Sequence, residues 1–162
     1  MVRTNIVKDF DLSFEINFKT IIRGHHVYKS IWISSIGQVL LAQPDEWKEA
    51  LDYDKYVVGI FKRHVEYIPK LSLVGQIPRE LSKLLNQFLK ADTGNCIYVE
   101  VIGKRKQEVG LVVPAKFSAR TKCSRTARVL DEQLLKTKEQ FSTLEFKHRK
   151  KGLYRKFPIY VL

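Results

Sequence analysis

Hydrophobic and polar residues alternate along residues 13–23, where polar side chains separate Phe14, Ile16 and Phe18. A period of two indicates a β-strand with one buried face. Further short segments, apolar or rich in β-branched and aromatic residues, predict five more strands at residues 36–42, 56–61, 71–75, 97–102 and 109–117. Gly59, inside the third of these six strands, predicts a bulge or a close approach of two backbones.

A helical period occurs once between these strands, at residues 78–90. Apolar residues at the spacing i, i+3, i+4 and i+7 predict an amphipathic helix there; they are Leu81, Leu84, Leu85 and Phe88. Pro78 suits the first position of this helix, and Gly94 suits a left-handed cap after its end. The turn that leads from strand to helix explains both Gly75 and Pro78.

One internal helix among six short strands favours a mainly β (α+β) fold, because a parallel sheet would need regular alternation of strands and helices. We predict a small OB-like or SH3-like antiparallel barrel over residues 1–118. Residues 119–162 would form a basic C-terminal extension, with a second helix at residues 125–141. The apolar side of that helix is predicted to carry Leu130, Leu134, Leu135 and Phe141.

Positive charge is concentrated late in the chain. The net charge is +12: residues 1–101 contain 13 Lys and Arg against 12 Asp and Glu, whereas residues 102–162 contain 16 against 5. This imbalance favours a polyanionic partner, which is DNA or RNA, an acidic protein or an anionic membrane surface, although a solvated basic tail would give the same composition. Residues 147–151 fit a nuclear localisation signal as well as a solvated basic face. Without an apolar membrane segment or signal-peptide core, we expect an intracellular protein with no membrane partner, the nucleus being one location.

Sequence patterns of the common catalytic sites are missing. The chain has no glycine-rich phosphate loop, no Gly-x-Ser-x-Gly elbow and no His-Glu-x-x-His pair. Its histidines and cysteines lack the spacing of a metal site, so we predict no enzyme, no metal and no cofactor. Cys96 is expected to pack as a small hydrophobic residue, and Cys123 lies among basic residues that favour its thiolate, although an idle thiol is the simpler reading.

Three stretches occur in the order and approximate spacing of a HIRAN domain. They read IRGHHVY at residues 22–28, DYDKYVVGIF at 52–61 and LVGQIPRELSKLL at 73–85. The stretch EVIGKRKQEVGLVVPAKF, at residues 100–117, resembles the closing hairpin of that domain. The resemblance covers residues 18–118. It implies a small barrel related to the OB fold and, as in fork-remodelling translocases, capture of the free 3′-hydroxyl end of single-stranded DNA.

The resemblance also implies a binding pocket, which is partly retained. The tyrosine and the aspartate that accepts a hydrogen bond from the terminal hydroxyl correspond to Tyr53 and Asp54. Tyr28 keeps a second tyrosine, and Arg79 keeps a basic residue. Because Arg79 begins a helix, it belongs either to a phosphate seat or to an exposed pair with a nearby acid.

Five positions of the implied pocket are changed. His26 stands where the family has arginine, and Gln76 stands where it has histidine. An asparagine and two aromatic residues are replaced by Tyr56, Val27 and Leu111. Since base stacking contributes roughly 1–3 kcal/mol per aromatic residue, these changes weaken the implied DNA-end activity more than the implied fold.

We therefore predict a non-catalytic nucleic-acid-binding module that favours a single-stranded DNA end. The predicted pocket residues are Tyr53, Asp54, Tyr28, His26, Gln76 and Arg79. A basic hairpin would add sequence-independent phosphate contacts through Lys104, Arg105 and Lys106. The alternative is a protein-interaction module that docks or dimerises through the barrel or the C-terminal helix. A third reading is a small metal-dependent nuclease that uses the acidic loop at residues 45–54.

Overall fold

The structure is a computed structural model that describes residues 13–24, 33–45, 55–64, 70–108, 110–140 and 155–157. The strands are β1 (Ser13–Ile22), β2 (Val39–Pro44), β3 (Val58–His64), β4 (Lys70–Gln76), β5 (Cys96–Val101), β6 (Lys106–Glu108), β7 (Gly110–Thr121) and β8 (Arg155–Phe157). Helix α1 (Arg79–Ala91) lies between β4 and β5, and helix α2 (Ser124–Gln140) follows β7.

The strands form one antiparallel sheet in the order β4–β3–β2–β5–β7–β1–β8, and β6 pairs with β7. An isolated bridge between Arg23 and Gln76 joins the end of β1 to the end of β4. Each of these two residues donates its N–H to the carbonyl of the other over 2.9 Å. The sheet thus curves into a small barrel that is bridged at one point and not closed along its length. This confirms the predicted mainly β, OB-like fold with six longer strands.

The core lies between the inner face of the sheet and the two helices. Phe18 of β1 and Phe117 of β7 are paired in register, and their buried rings stack with centroids 5.2 Å apart. Helix α1 adds Leu81, Leu85 and Phe88 to this core. These are three of the apolar positions from which the helix was predicted, so its amphipathic pattern does face the barrel.

Helix α2 contributes to the same core, because Ala127, Leu130 and Leu134 are buried in the cluster. Leu135 was also predicted on the apolar side, and this was wrong: it is exposed. The reason is geometric, since successive helical residues are separated by about 100° and Leu134 already faces the sheet. Phe141 lies outside the described residues. Strand β7 continues past residue 119, and the division of the chain into residues 1–118 and 119–162 stays a prediction.

Two strands begin later than predicted because a turn precedes each of them. Strand β2 begins at Val39, after a turn in which the Gln38 N–H donates to the Ser35 carbonyl over 3.0 Å. Gly37 adopts a φ of 88° in that turn, a value that favours glycine. Strand β3 begins after a turn at residues 55–56. The predicted turn at residues 103–108 ends in the short strand β6.

Both ends of α1 differ by small amounts from the prediction. Pro78 precedes the helix, which begins at Arg79, and its carbonyl accepts a hydrogen bond from the Leu81 N–H. The predicted left-handed cap at Gly94 is wrong, because the described glycines with positive φ are Gly24 and Gly37. Instead, the Asn95 side-chain amide donates to the Phe88 carbonyl over 2.9 Å and satisfies the end of the helix.

Gly59 and Gly75 are required by close packing. A Cβ atom at Gly59 would lie 2.8 Å from Cδ1 of Leu73, beside a register shift between β3 and β4. The predicted close approach at Gly59 is therefore present. A Cβ atom at Gly75 would lie 2.9 Å from the carbonyl oxygen of Arg23 and would also meet the side chain of Ile22. The close approach of β4 to β1 thus requires glycine at position 75. The sequence analysis had assigned Gly75 to the turn between strand and helix.

We expect Gly75→Ala to lower the free energy of unfolding by about 1–3 kcal/mol, because the added methyl group overpacks the contact between β4 and β1. Urea unfolding followed by circular dichroism measures the change. Gly94→Ala is the matched control, since the nearest atom to its added Cβ is Oδ1 of Asp92 at 3.5 Å, an ordinary contact. Equal stability of the two variants would contradict this account of Gly75.

Candidate nucleic-acid interface

The segment that leads into α1 is held by two strands. The Arg23–Gln76 bridge fixes it to β1, and the Ile77 N–H donates to the Val58 carbonyl over 3.1 Å. Gln76 is half-buried at the end of β4, and Arg79 is exposed as the first residue of the helix. The amino end of α1 is therefore placed rigidly at the barrel surface, with a cation on it.

A second segment, residues 55–57, lies against the same helix. The side-chain amide of Asn86, buried on α1, donates to the Val57 carbonyl over 3.4 Å. The Tyr56 ring lies near the ammonium groups of Lys55 and Lys83, with Nζ atoms 5.0 Å and 5.6 Å from the ring centroid. Both distances are within the range of cation–π attraction. Tyr56 is thereby held beside the first half of α1.

Two cations, Arg79 and Lys83, lie at this end of the helix, where the first turn also carries the exposed acid Glu80. Lys83 follows Arg79 by four residues, so both lie on one side of α1. Among the residues that the structure describes, no carboxylate lies within ion-pair distance of Arg79. The alternative of an acid-paired Arg79 therefore finds no partner among these residues. We call the group formed by Lys55, Tyr56, Arg79 and Lys83 the helix-start cluster.

The basic hairpin lies toward the same end of the barrel. Lys106 pairs with Val112 of β7, the neighbouring Val113 pairs with Ile22, and Arg23 bridges to Gln76. Three strand spacings, roughly 14–15 Å in all, thus separate Lys106 from the segment leading into α1. Lys104 and Arg105 precede it and are exposed, as is Lys106.

Four predicted pocket residues lie outside the described residues: Tyr53, Asp54, Tyr28 and His26. The same is true of Val27, and the side chain of Leu111 is not described. Gln76 ends β4, and Arg79 begins α1 three residues later. The assignment of the pocket as a whole stays a prediction.

The described ranges contain neither a cluster of metal ligands nor a helix that could span a membrane. No three His, Cys, Asp or Glu side chains in these ranges are grouped closely enough to hold a metal ion. Residues 46–54, most of the acidic loop, fall outside them. No helix in the described part is both long and apolar enough to cross a bilayer.

Comparison with solved structures identifies one similar fold. No protein-family model matches this chain, and no curated protein sequence does. The crystal structure of the HIRAN domain of human HLTF superimposes with a TM-score of 0.55, covering 77% of this chain and 92% of the HLTF domain, at 16% sequence identity. The fold is that of a HIRAN domain. The resemblance predicted from sequence is confirmed at the level of the fold, and at this identity it establishes no more.

Sequence reasoning missed part of the helix-start cluster. Lys83 was recognisable, since a position four residues after Arg79 on a helix must lie on the same side. Lys55 was not, because residues 55–57 are brought to the helix by the packing of distant parts of the chain, seen in the Asn86–Val57 hydrogen bond. Tyr56 was noted as a lost asparagine, and its place beside two lysines was not foreseen.

The two cysteines lie in different environments. Cys96 is half-buried on the outer side of β5, and burial raises the pKa of its thiol, an effect that nearby Arg120 partly offsets. Cys123 is exposed just before α2. Hydrogen bonds from the Thr126 hydroxyl and from the N–H groups of Thr126 and Arg125 lower the pKa of the Cys123 thiol.

We expect iodoacetamide to alkylate Cys123 faster than Cys96 near neutral pH, since a lowered pKa gives more thiolate at a given pH. The pH of half-maximal rate should lie below the value of about 8.5 typical of a free thiol. Mass spectrometry of the modified peptides across neutral and alkaline pH measures this. Thr126→Val, which removes the hydroxyl, should move the profile of Cys123 upward; an unchanged profile would contradict the assigned cause.

Proposed function

We propose that this chain is a non-catalytic nucleic-acid-binding module and that it binds an end of single-stranded DNA. The observation that supports the proposal is the helix-start cluster, in which two lysines lie over the Tyr56 ring and Arg79 lies one helical turn before Lys83, on a barrel with the fold of a HIRAN domain. Positive charge combined with an aromatic surface is what single-stranded nucleic acids require, because phosphates and bases are then bound by different groups.

The amino end of α1 would receive a phosphate. The first N–H groups of a helix have no partner within it, and the helix dipole is positive at that end. Arg79 adds a full charge at this point, and Lys83 adds another one turn later. A cation here costs some helix stability, so a bound anion would offset that cost as well as contact the free amides.

Tyr56 would receive a base. In the sequence, Val27 and Leu111 stand where the family has aromatic residues, so stacking needs another surface. The Tyr56 ring supplies one, and the adjacent Lys55 and Lys83 are close enough to bind the phosphates on either side of a stacked base. Such stacking contributes roughly 1–3 kcal/mol per base.

Asp54 would recognise the terminal hydroxyl, as the family resemblance implies. It precedes Tyr56 by two residues, and a chain of that length spans at most about 7 Å between Cα atoms. A carboxylate within that reach of the cluster accepts a hydrogen bond from a free 3′-hydroxyl and repels a 3′-phosphate. Lys104, Arg105 and Lys106 would contact phosphates further along the strand without reading sequence.

We expect a short oligo-dT with a free 3′-hydroxyl to bind about tenfold to a hundredfold more tightly than the same oligonucleotide with a 3′-phosphate, the value of one charge-assisted hydrogen bond. Fluorescence anisotropy with a 5′ label measures both affinities. Asp54→Asn should reduce the difference. Equal affinities would reject end capture and leave charge-driven binding, whereas no binding of either would reject the function itself.

Lys83→Gln should weaken the binding of oligo-dT and lower its salt dependence by about 0.7 in the slope of log K against log salt, the value of one phosphate contact. Lys90→Gln is the matched control, because Lys90 is exposed on the last turn of the same helix. Titrations at several salt concentrations compare the two. Equal slopes for the two variants would show that the helix-start cluster does not contact the phosphates.

A further inference from the structure

A groove of about 690 Å³ lies between the two helices, and we call it the interhelical groove. Its lining on α1 extends over residues 80–91, about 16 Å at the rise of about 1.5 Å per helical residue. Its lining on α2 extends over residues 125–133. The buried side chains of Phe88 and Leu130 line it from the side of the core. Its volume is within the range of ligand-binding clefts.

The lining of the interhelical groove combines apolar side chains with uncharged polar ones. Leu84 is half-buried there, and Val129 is 48% exposed. Beside them lie the hydrogen-bonding side chains of Gln87, Thr126 and Gln133. A nucleobase is bound by both kinds of group, because its faces stack and its edges carry donors and acceptors. An apolar helix of a protein partner would instead bury the three polar side chains without partners, which costs binding energy.

Cations border the interhelical groove toward both of its ends. Cys96, five residues after α1, pairs with Arg120, four residues before α2. The end of α1 and the start of α2 therefore lie at the same end of the barrel. Arg125 lies there, whereas Lys83 lies toward the start of α1. Among the described residues, neither of these two cations has a carboxylate within ion-pair distance. Glu80 also lines the groove, so cations exceed acids by one.

Lys83 connects the interhelical groove with the helix-start cluster. Its Nζ atom lies 5.6 Å from the centroid of the Tyr56 ring, and the same side chain lines the groove. A strand that leaves Tyr56 reaches the groove by crossing α1, which with its side chains is about 10–12 Å wide. Lys83 is a phosphate ligand available at that crossing. The groove thus continues a surface that the captured end of a strand would already occupy.

We propose that the interhelical groove binds one or more internal bases of the single strand whose end lies at the helix-start cluster. The inference rests on the proposed function and extends it from the end of the strand to its course over the protein. Lys83 and Arg125 would bind phosphates at the two borders. A base between them would lie on Leu84 and Val129, with its edge toward the glutamines of the lining. Because an amide both donates and accepts, this binding would tolerate any sequence.

An oligonucleotide scan with missing bases tests the inference. The full chain is titrated with a 5′-labelled oligo-dT that has a free 3′-hydroxyl, and with copies that each lack one internal base but keep every phosphate. We expect fluorescence anisotropy to show a loss of affinity of about fivefold or more at one or more internal positions, the value of a stacked base. Val129→Gln should weaken the binding of the intact oligonucleotide and abolish the effect of those positions, because both changes remove the same contact.

Leu135→Gln is the matched control, since Leu135 is 38% exposed on the same helix and does not line the groove. It should keep the wild-type profile, and circular dichroism verifies that both variants are folded. A wild-type profile that is flat at internal positions would overturn the inference; retained preference for a free 3′ end would then leave the proposed function standing. A profile that Val129→Gln does not alter, or that both variants alter equally, would also overturn it. Failure of every oligonucleotide to bind would reject the proposed function and this inference together.

Discussion

The bridge between Arg23 and Gln76 is the contact on which the position of α1 and of the proposed binding surface depends. Two backbone hydrogen bonds of 2.9 Å hold the end of β4 against the end of β1, and the missing side chain of Gly75 allows that approach. The next residues of the chain begin α1. The direction and position of the helix are therefore set by a strand contact and not by the helix itself, which has no side-chain cap at its start.

Local patterns of the sequence predicted the elements whose burial is regular. Strand β1 and helix α1 were placed within one or two residues, because one buried face imposes a period that is visible in the sequence. The wrong predictions concern positions where more than one residue could fill the same structural role. Gly94 suited a left-handed cap, but the Asn95 amide satisfies the helix end instead. Leu135 belonged to an apolar pattern that α2 had already satisfied with Leu130 and Leu134.

The site was less predictable than the fold because its charges come from separate parts of the chain. The excess positive charge lies in residues 102–162, yet Lys55, Arg79 and Lys83 belong to residues 1–101, where acids and bases nearly cancel. Folding brings Lys55 and Lys83 to the Tyr56 ring with Arg79 one turn before Lys83, while Glu15 and Glu100 lie on the face of the sheet that points away from the core. A cationic surface thus arises from a segment that is almost neutral as a whole.

Through its hydrogen bond to the Val57 carbonyl, the buried Asn86 affects where the neighbouring surface residues lie. Asn86 is a buried residue of α1 and is not part of the surface. Its hydrogen bond to Val57 nevertheless holds the loop that carries Tyr56 against the helix that carries Lys83. A replacement that kept its volume and lost its amide would release that loop while sparing the barrel. Natural variation at this buried position would then change ligand binding while the stability of the protein stayed nearly normal. The surface residues alone would not explain such a change.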